Sequence, residues 1–313
     1  MTTLERLGRW KLDGAITDAQ HETLGALVRH DRFSVSLELN ALLYVGVLAI
    51  TAGVAWTVQT HFTSLGDTAI VLALTTIVSL CFWYCFSRAR PYSSDEVESP
   101  TLMFDYVLYL GCVVFAIELG YLETRFTLLG DAWDAYVLLS AVVFFVAAYR
   151  FDNRFVLSLA LSTLAAWFGI KLNRLGIRSS DSLRISALTY GALVAGVGAG
   201  LHRLAIKKHF LETHLHVAAT AVFVALVSGV QSDDLGLLYL AGLLVLGAVC
   251  VAGGIRHRRF AFVAYGVVYA YVGISLKLTH QMSDTMTFGY GVVSGSAMLV
   301  AMVYFARRFG RDA

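Results

Sequence analysis

The chain has 313 residues, of which 58% are hydrophobic and 15% are charged, and its formal net charge is +2. An average soluble domain carries about 25% charged residues, so this composition is typical of a membrane protein and not of a string of soluble domains. The net charge is too small to indicate a nucleic-acid-binding protein, and no basic run is interleaved with aromatic residues. We therefore expect the lipid bilayer as the main partner and no nucleic acid.

The first 37 residues predict a short cytoplasmic helical head. Leu4, Leu7 and Trp10 recur at helical spacing, and Gly14 suits the position that follows a helix end. Residues 17–20 (TDAQ) are typical of a capping box that opens a second helix. A hairpin of about 28 residues is too small to hold a core alone. Its apolar stripe must therefore rest on the membrane surface, on the inner loops or on a protein partner.

From residue 38 to residue 313 the chain predicts an all-α transmembrane domain. Ten apolar stretches of about 15–22 residues alternate with short polar loops. A hydrocarbon core about 30 Å thick is crossed by roughly 20 helical residues, and the backbone must satisfy its own hydrogen bonds there. We therefore expect a polytopic helical bundle. The predicted spans are 39–59, 66–87, 102–121, 133–149, 155–170, 184–202, 211–230, 235–254, 260–276 and 287–305.

The positions of Lys and Arg predict that both termini lie in the cytoplasm, because these residues stay on the cytoplasmic side. With this orientation, 18 of the 24 Lys and Arg residues are inside. The six outside are Arg125, Lys171, Arg174, Arg178, Arg184 and Lys277. If the short fifth span did not cross, the distribution would fall to 14 inside and 10 outside. Ten spans with both termini inside is therefore the better interpretation.

An internal duplication of five spans per half is an open alternative. Six predicted helices carry, near their N-terminal ends, a Tyr that is followed within three residues by Gly. This recurring pattern is compatible with the inverted repeats of many transporters. The preference of Tyr for the membrane interface explains the same pattern without a duplication.

Charged and polar residues within the spans are the candidates for substrate or ion binding, because their burial in hydrocarbon is costly without a partner. Glu118 lies about a turn from the outer end of the third span, and Lys277, which closes the ninth span, is a candidate partner. Asp105 lies near the inner end of the third span, and Asn40 opens the first. The thirteen residues between Asp105 and Glu118 correspond to roughly 20 Å of helix. The pair could mark a cation or proton path, although an interfacial acid is the favoured interpretation of Asp105.

A histidine-rich segment offers a less favoured metal site. On a helix, His209, Glu212 and His216 share one face and could ligate a divalent cation. Their neighbours Arg203, Lys207 and Lys208 oppose cation binding. A solvated polar helix end is the favoured interpretation, so we expect neither a bound metal nor another cofactor.

Three short motifs that are typical of particular enzyme classes do not occur in the sequence. It contains no G-x-S-x-G, no H-E-x-x-H and no G-x-x-x-x-G-K-[ST] sequence. The glycines at 196, 198 and 200 lie within an apolar span, where small residues let helices approach closely, and not after a strand. An enzyme is therefore the least favoured class.

The N-terminal part resembles a known family. The motifs are L-x-x-L-x-x-W-x-x-D-G-A-I-T-D-A-Q over residues 4–20, L-L-Y-V-G over 42–46 and G-V-A-W over 53–56. Their order over roughly residues 4–145 is similar to the bacterial domain-of-unknown-function 2157 family of predicted membrane proteins. That family usually has Asn before the Trp, whereas this chain has Ala55. The resemblance implies a bacterial inner-membrane protein and supplies no established activity.

Two classes of function are consistent with these features. The first is a small-solute or ion transporter, which ten spans and the in-span Glu118 favour. The second is a membrane sensor, assembly factor or partner subunit that is recruited through the cytoplasmic head. Both prolines, Pro91 and Pro100, lie in a loop, so only glycine could break a helix at a binding site.

Overall fold

The computed structural model describes residues 66–176, 179–280 and 282–311, together with 10–18 and a few isolated positions before residue 66. These residues form helices and contain no strand. The chain divides into two compact units, residues 1–66 and 67–313. The helices of the second unit are α1 (Asp67–Arg88), α2 (Leu102–Phe126), α3 (Asp134–Phe151), α4 (Arg154–Arg174), α5 (Ser180–Arg203), α6 (Leu211–Gly229), α7 (Gly236–Arg256), α8 (Phe260–Thr279) and α9 (Asp284–Arg311).

Nine helices in the described part of the chain are long and apolar enough to cross a membrane. They coincide with the second to tenth predicted spans, so the expected all-α polytopic bundle is confirmed. The first predicted span, 39–59, lies outside the described residues apart from isolated positions. Short 3₁₀ turns precede α3 at Gly130–Ala132 and α6 at Lys208–Phe210.

The second unit is built from four helical hairpins followed by α9. Helices α1 and α2, α3 and α4, α5 and α6, and α7 and α8 each pack most extensively with each other. The connections that close these hairpins are residues 89–101, 152–153, 204–210 and 257–259. We call this end of the bundle the hairpin end and the opposite end the far end.

Local sequence signals explain where several helices begin. Asn153, in the two-residue turn between α3 and α4, accepts a hydrogen bond from the Val156 backbone N–H at 2.8 Å. Thr101 caps α2 in the same way, and Ser179 caps α5. Such side chains satisfy backbone donors that have no partner within the helix. The hairpins are therefore defined by caps as well as by hydrophobicity.

The core of the second unit lies between the hairpins. Leu108 of α2, Phe144 of α3 and Leu157 of α4 are all fully buried in one cluster. Glycine allows the closest approaches, because association of helices in lipid depends on packing and not on water. A Cβ on Gly198 would lie 2.6 Å from the Cβ of His214 on α6. Close helix packing, which the sequence predicts for this segment, is therefore observed at Gly198.

The described part of the first unit contains the expected capping box. The Gln20 backbone N–H donates to the Thr17 hydroxyl at 3.3 Å, and the Thr17 N–H donates to the Gln20 side chain at 2.9 Å. Gly14 has a φ of +70°, which glycine adopts without strain after a helix end. Leu4 and Leu7 lie outside the described residues.

Candidate functional site

The predicted in-span acid, Glu118, lies on the face of α2 that packs against α1. It is 9% exposed, and its Oε1 is 2.5 Å from the hydroxyl oxygen of Thr75. The same hydroxyl is 2.8 Å from the Val71 carbonyl oxygen. Because a hydroxyl has one proton, Thr75 can donate either to Glu118 or to Val71. An ionised Glu118 can accept a hydrogen bond from the Thr75 hydroxyl. A protonated Glu118 can instead donate a hydrogen bond to the Thr75 oxygen.

Lys277, which the sequence suggests as a possible partner of Glu118, forms no ion pair with it among the described residues. Helix α2 packs against α1, α3 and α4, whereas the α8 helix that carries Lys277 packs against α6, α7 and α9. The Lys277 Nζ lies instead 3.2 Å from the position of a Cβ on Gly236. The fourth candidate, Asn40, lies outside the described residues.

A polar stripe continues from Glu118 to the far end of the bundle. Glu118, Tyr121 and Arg125 are three and seven residues apart, which places them on one face of α2. Asp67, at the start of α1, accepts hydrogen bonds from Arg125 Nε at 2.8 Å and from the Tyr121 hydroxyl at 3.0 Å. Polar side chains of α2 therefore line the seam between its far end and Glu118, beside the buried Ile70 and Leu74 of α1.

In the opposite direction the same seam is apolar. Val114, Cys112 and Leu108 are buried, and a Cβ on Gly111 would lie 2.9 Å from the Cβ of Cys81. Apolar packing of this kind separates Glu118 from the hairpin end.

Asp105 lies on the hairpin side of this apolar segment. Its Oδ1 accepts hydrogen bonds from the Ser99 hydroxyl at 2.7 Å and from the Asn153 side chain at 2.8 Å. Because Asn153 also caps α4, Asp105 connects α2 to the turn between α3 and α4. The structure therefore keeps the two predicted carboxylates apart and gives them different partners.

A buried charge cluster at the hairpin end was not predicted. One Asp152 oxygen accepts from Lys207 Nζ at 2.8 Å and from the Val97 backbone N–H at 2.5 Å, and the other contacts His209 Nε2. Lys207 Nζ also reaches the Asp95 carbonyl oxygen at 3.2 Å. We call Asp152, Lys207 and His209 the Asp152 cluster. It joins three of the four connections at this end.

The sequence contained one signal for the Asp152 cluster. Asp152 has a φ of 58°, in the left-handed region that Asp tolerates better than most residues. An acid in a two-residue turn between two spans could have suggested this conformation. Its partners could not be foreseen, because Val97 and Lys207 are each 55 residues away along the chain.

The structure does not assemble the less favoured metal set. His209 contacts Asp152, whereas Glu212 Oε1 pairs with Arg259 at 2.7 Å and lies 3.8 Å from His216 Nε2. The described residues contain no group of three His, Cys, Asp or Glu side chains that could hold a metal ion. The predicted helical face is thus divided between two ion pairs.

Cations at the far end are also paired with acids. Asp134, at the start of α3, forms ion pairs with Arg174 and with Lys171, the latter at 3.4 Å. Arg125 pairs with Asp67, and Arg184 pairs with Asp181 at 2.7 Å. Four of the six residues that the sequence places outside therefore have a carboxylate partner.

A cavity of about 480 Å³ opens near the hairpin end of helices α5 to α8. His202, His257 and Arg259 lie at its mouth, and apolar side chains such as Leu215, Val249 and Phe262 line its walls. Its volume is within the range of small-molecule sites, which is about 300–1,000 Å³. We call it the α5–α8 cavity.

Comparison with known proteins identifies one similar family, and that family has no established activity. No curated protein and no solved structure matches the chain. Residues 8–157 match the model of one family, described as "Predicted membrane protein (DUF2157)". This segment runs from the head through α3 into the start of α4. The resemblance seen in the N-terminal sequence motifs is therefore confirmed, and residues 8–157 are similar to this family of predicted membrane proteins.

Proposed function

We propose that the chain is a transporter that moves protons or a small monovalent cation across the membrane, with Glu118 as the carrier group. The observation that carries this proposal is the burial of Glu118 within a span, with a single hydroxyl as its hydrogen-bond partner among the described residues. An ionisable side chain inside a membrane span is costly and is most often functional.

The contact with Thr75 suits a group that changes its protonation state. When Glu118 is ionised, the Thr75 hydroxyl donates to it. When Glu118 binds a proton, its own O–H donates to Thr75, which then donates to the Val71 carbonyl oxygen. Both states keep their hydrogen bonds without movement of the helices.

The polar stripe indicates the side from which Glu118 is reached. Asp67, Tyr121 and Arg125 lie between Glu118 and the far end, whereas buried apolar side chains lie between Glu118 and Asp105. We infer that this conformation exchanges protons or cations with the far side. Release to the opposite side requires a second conformation in which the apolar part of the seam opens.

The distribution of cations supports one orientation of this pathway. We propose that the protein lies in a bacterial inner membrane with the hairpin end and both termini in the cytoplasm. The 18 to 6 distribution of Lys and Arg supports this proposal, and so does the pairing of far-end cations with acids. A C-terminal reporter on the outer side would overturn it.

Flux measurements on the purified chain in liposomes test the proposal. With a pH-sensitive dye and, separately, Na⁺ and K⁺ indicators inside, we expect an imposed gradient to drive flux of one of these ions. Glu118→Gln should lower that flux at least about tenfold while leaving expression unchanged, because a neutral amide cannot carry the proton or cation. Thr75→Val should lower it and Thr75→Ser should preserve it.

Glu123→Gln is the matched control, because Glu123 lies on α2 away from Glu118 and accepts a hydrogen bond from the Leu129 backbone N–H at 3.0 Å. Its flux should stay within about twofold of the unaltered protein. No flux of any of the three ions, or equal flux in the Glu118→Gln variant, would refute the proposal.

A second candidate function is recruitment of a protein partner through the head. Trp10 is 50% exposed and Leu12 is 86% exposed, so the head presents apolar side chains that a partner could bury. Burial would contribute roughly 25 cal/mol per Å² of apolar surface. Deletion of residues 2–30 separates the two functions. A transporter retains its ion flux, whereas a recruitment module loses its partner, and a Trp10 that stays exposed in membranes would argue against docking.

A further inference from the structure

We propose that the α5–α8 cavity binds one anionic phospholipid from the leaflet at the hairpin end. The headgroup phosphate would lie at His202, His257 and Arg259, and an acyl chain would fill the apolar interior. This site is separate from Glu118 and its seam, so the inference does not depend on the proposed transport.

The depth of the cavity matches one leaflet. His257 follows the last residue of α7 and lies at the mouth, whereas Val249 lines the wall eight residues earlier. Eight helical residues correspond to about 12 Å. Half of a 30 Å hydrocarbon core is about 15 Å. A ligand that enters from the hairpin end therefore meets polar side chains at the interface and apolar side chains at acyl-chain depth.

Charge at the mouth favours an anion. The segments 202–212 and 256–262 contain Arg203, Lys208, Arg256, Arg258 and Arg259 in addition to Lys207, which is already paired with Asp152. Their one carboxylate is Glu212, which pairs with Arg259. Basic pockets between transmembrane helices are typical binding sites for anionic headgroups.

The side chains of Arg259 and His257 at the mouth retain hydrogen-bond donors for a phosphate. Arg259 is about half exposed and uses Nη1 for Glu212, so other guanidinium N–H groups remain. The His202 Nδ1 lies 3.3 Å from the Lys208 carbonyl oxygen, so Nδ1 carries the ring proton of a neutral imidazole and Nε2 is an acceptor; His202 therefore lines the mouth without a free donor. His257, which is exposed, caps α7 through its backbone and not through its ring.

The cavity is also reachable from the side of the bundle. Val249 is 61% exposed although it lines the cavity, so this wall opens laterally. A soluble anion has no need of such an apolar opening, whereas a lipid can enter through it without leaving the membrane.

Gly253 gives a direct way to fill the cavity. It lines the cavity, and a Cβ at this position would meet no atom within 4 Å. Gly253→Leu should therefore occupy the space of the acyl chain without a clash in α7. Gly196→Leu is the matched control, because Gly196 lies in the middle of α5, outside the residues that line the cavity, and also meets no atom within 4 Å.

Native mass spectrometry of the delipidated full-length protein tests the proposal. The probes are phosphatidylglycerol and phosphatidylcholine with identical acyl chains, and inorganic phosphate alone. We expect phosphatidylglycerol to bind at least about tenfold more tightly than phosphatidylcholine, since the Arg259 guanidinium and the His257 ring can donate to the phosphate and further cations lie in the adjoining segments. His257→Gln and Arg259→Gln should each weaken phosphatidylglycerol about fivefold. Gly253→Leu should weaken both lipids, and Gly196→Leu neither.

Three results would overturn the proposal. Equal affinity for the two lipids would remove the role of the basic mouth. Equal binding of lipid by the Gly253→Leu and Gly196→Leu variants would show that the lipid binds outside the α5–α8 cavity. Competition by inorganic phosphate as strong as that by phosphatidylglycerol would make this a site for a soluble anion. Arg259→Gln also breaks the ion pair with Glu212. If that variant misfolds, the His257→Gln variant still tests the proposal. Glu118→Gln should leave lipid binding unchanged.

Discussion

At the hairpin end of the bundle, the ion pair of Asp152 and Lys207 is almost completely buried, with side chains that are 2% and 1% exposed. At the far end, Asp134 is also buried, but its partners Arg174 and Lys171 remain 33% and 46% exposed. Loss of the acid from an ion pair should therefore have different effects on stability at the two ends. A far-end cation that loses its acid can turn toward water, whereas Lys207 cannot, so the hairpin end depends more strongly on its charges.

Removal of the Asp152 charge should have the largest effect on stability. Asp152→Asn keeps the side-chain size and tolerates the left-handed backbone, but it leaves Lys207 buried without a counter-charge. Loss of one partner of a buried pair costs about 3–5 kcal/mol. We expect a strongly lowered unfolding temperature in detergent, with Asp181→Asn as the exposed control. A change no larger than that of the control would contradict the importance of burial.

The second prediction concerns the pair as a whole. When Asp152→Asn is combined with Lys207→Met, neither charge of the buried pair remains. Replacement of a buried ion pair by neutral groups is often close to neutral for stability. We expect the double variant to regain at least about half of the stability lost in the single variant, measured by the same thermal unfolding. Additive losses would show that Lys207 contributes through contacts other than its charge.

At the far end, Asp134→Asn should have an intermediate effect. The variant leaves Lys171 and Arg174 without a carboxylate, but both cations are partly exposed. We expect a loss of about 1–2 kcal/mol in the free energy of unfolding, less than for Asp152→Asn. Chemical denaturation of the two variants in the same detergent compares them directly, and an equal or greater loss at Asp134 would reverse the comparison.

The smallest effect is expected at an exposed pair of the hairpin end itself. Glu96 and Arg154 are 2.6 Å apart, and their side chains are about half exposed. Glu96→Gln should cost about 0–1 kcal/mol, and added salt should reduce the difference further. This variant separates burial from position, because Glu96 lies in the same connection that contains Val97. A large loss here would indicate that location, and not burial, determines the cost.

The amino-acid sequence by itself determined the membrane class, nine of the described helices and the capping box of the head. These features are local, because a helix satisfies its backbone hydrogen bonds within one segment and a cap acts within four residues. The sequence also identified Glu118 as an in-span acid, since a carboxylate in an apolar run is visible without any partner.

Only the tertiary structure decided which side chains meet. Thr75 is 43 residues from Glu118, and Asp152 is 55 residues from both Val97 and Lys207. The sequence offered Lys277 as a possible partner of Glu118 because both lie at the outer ends of predicted spans, yet their helices pack against different neighbours. It counted Lys207 only among the cations beside the histidine-rich segment, because charge alone does not reveal burial. Such pairings depend on the order in which hairpins pack, which helical periodicity leaves open because every span is apolar on most of its surface.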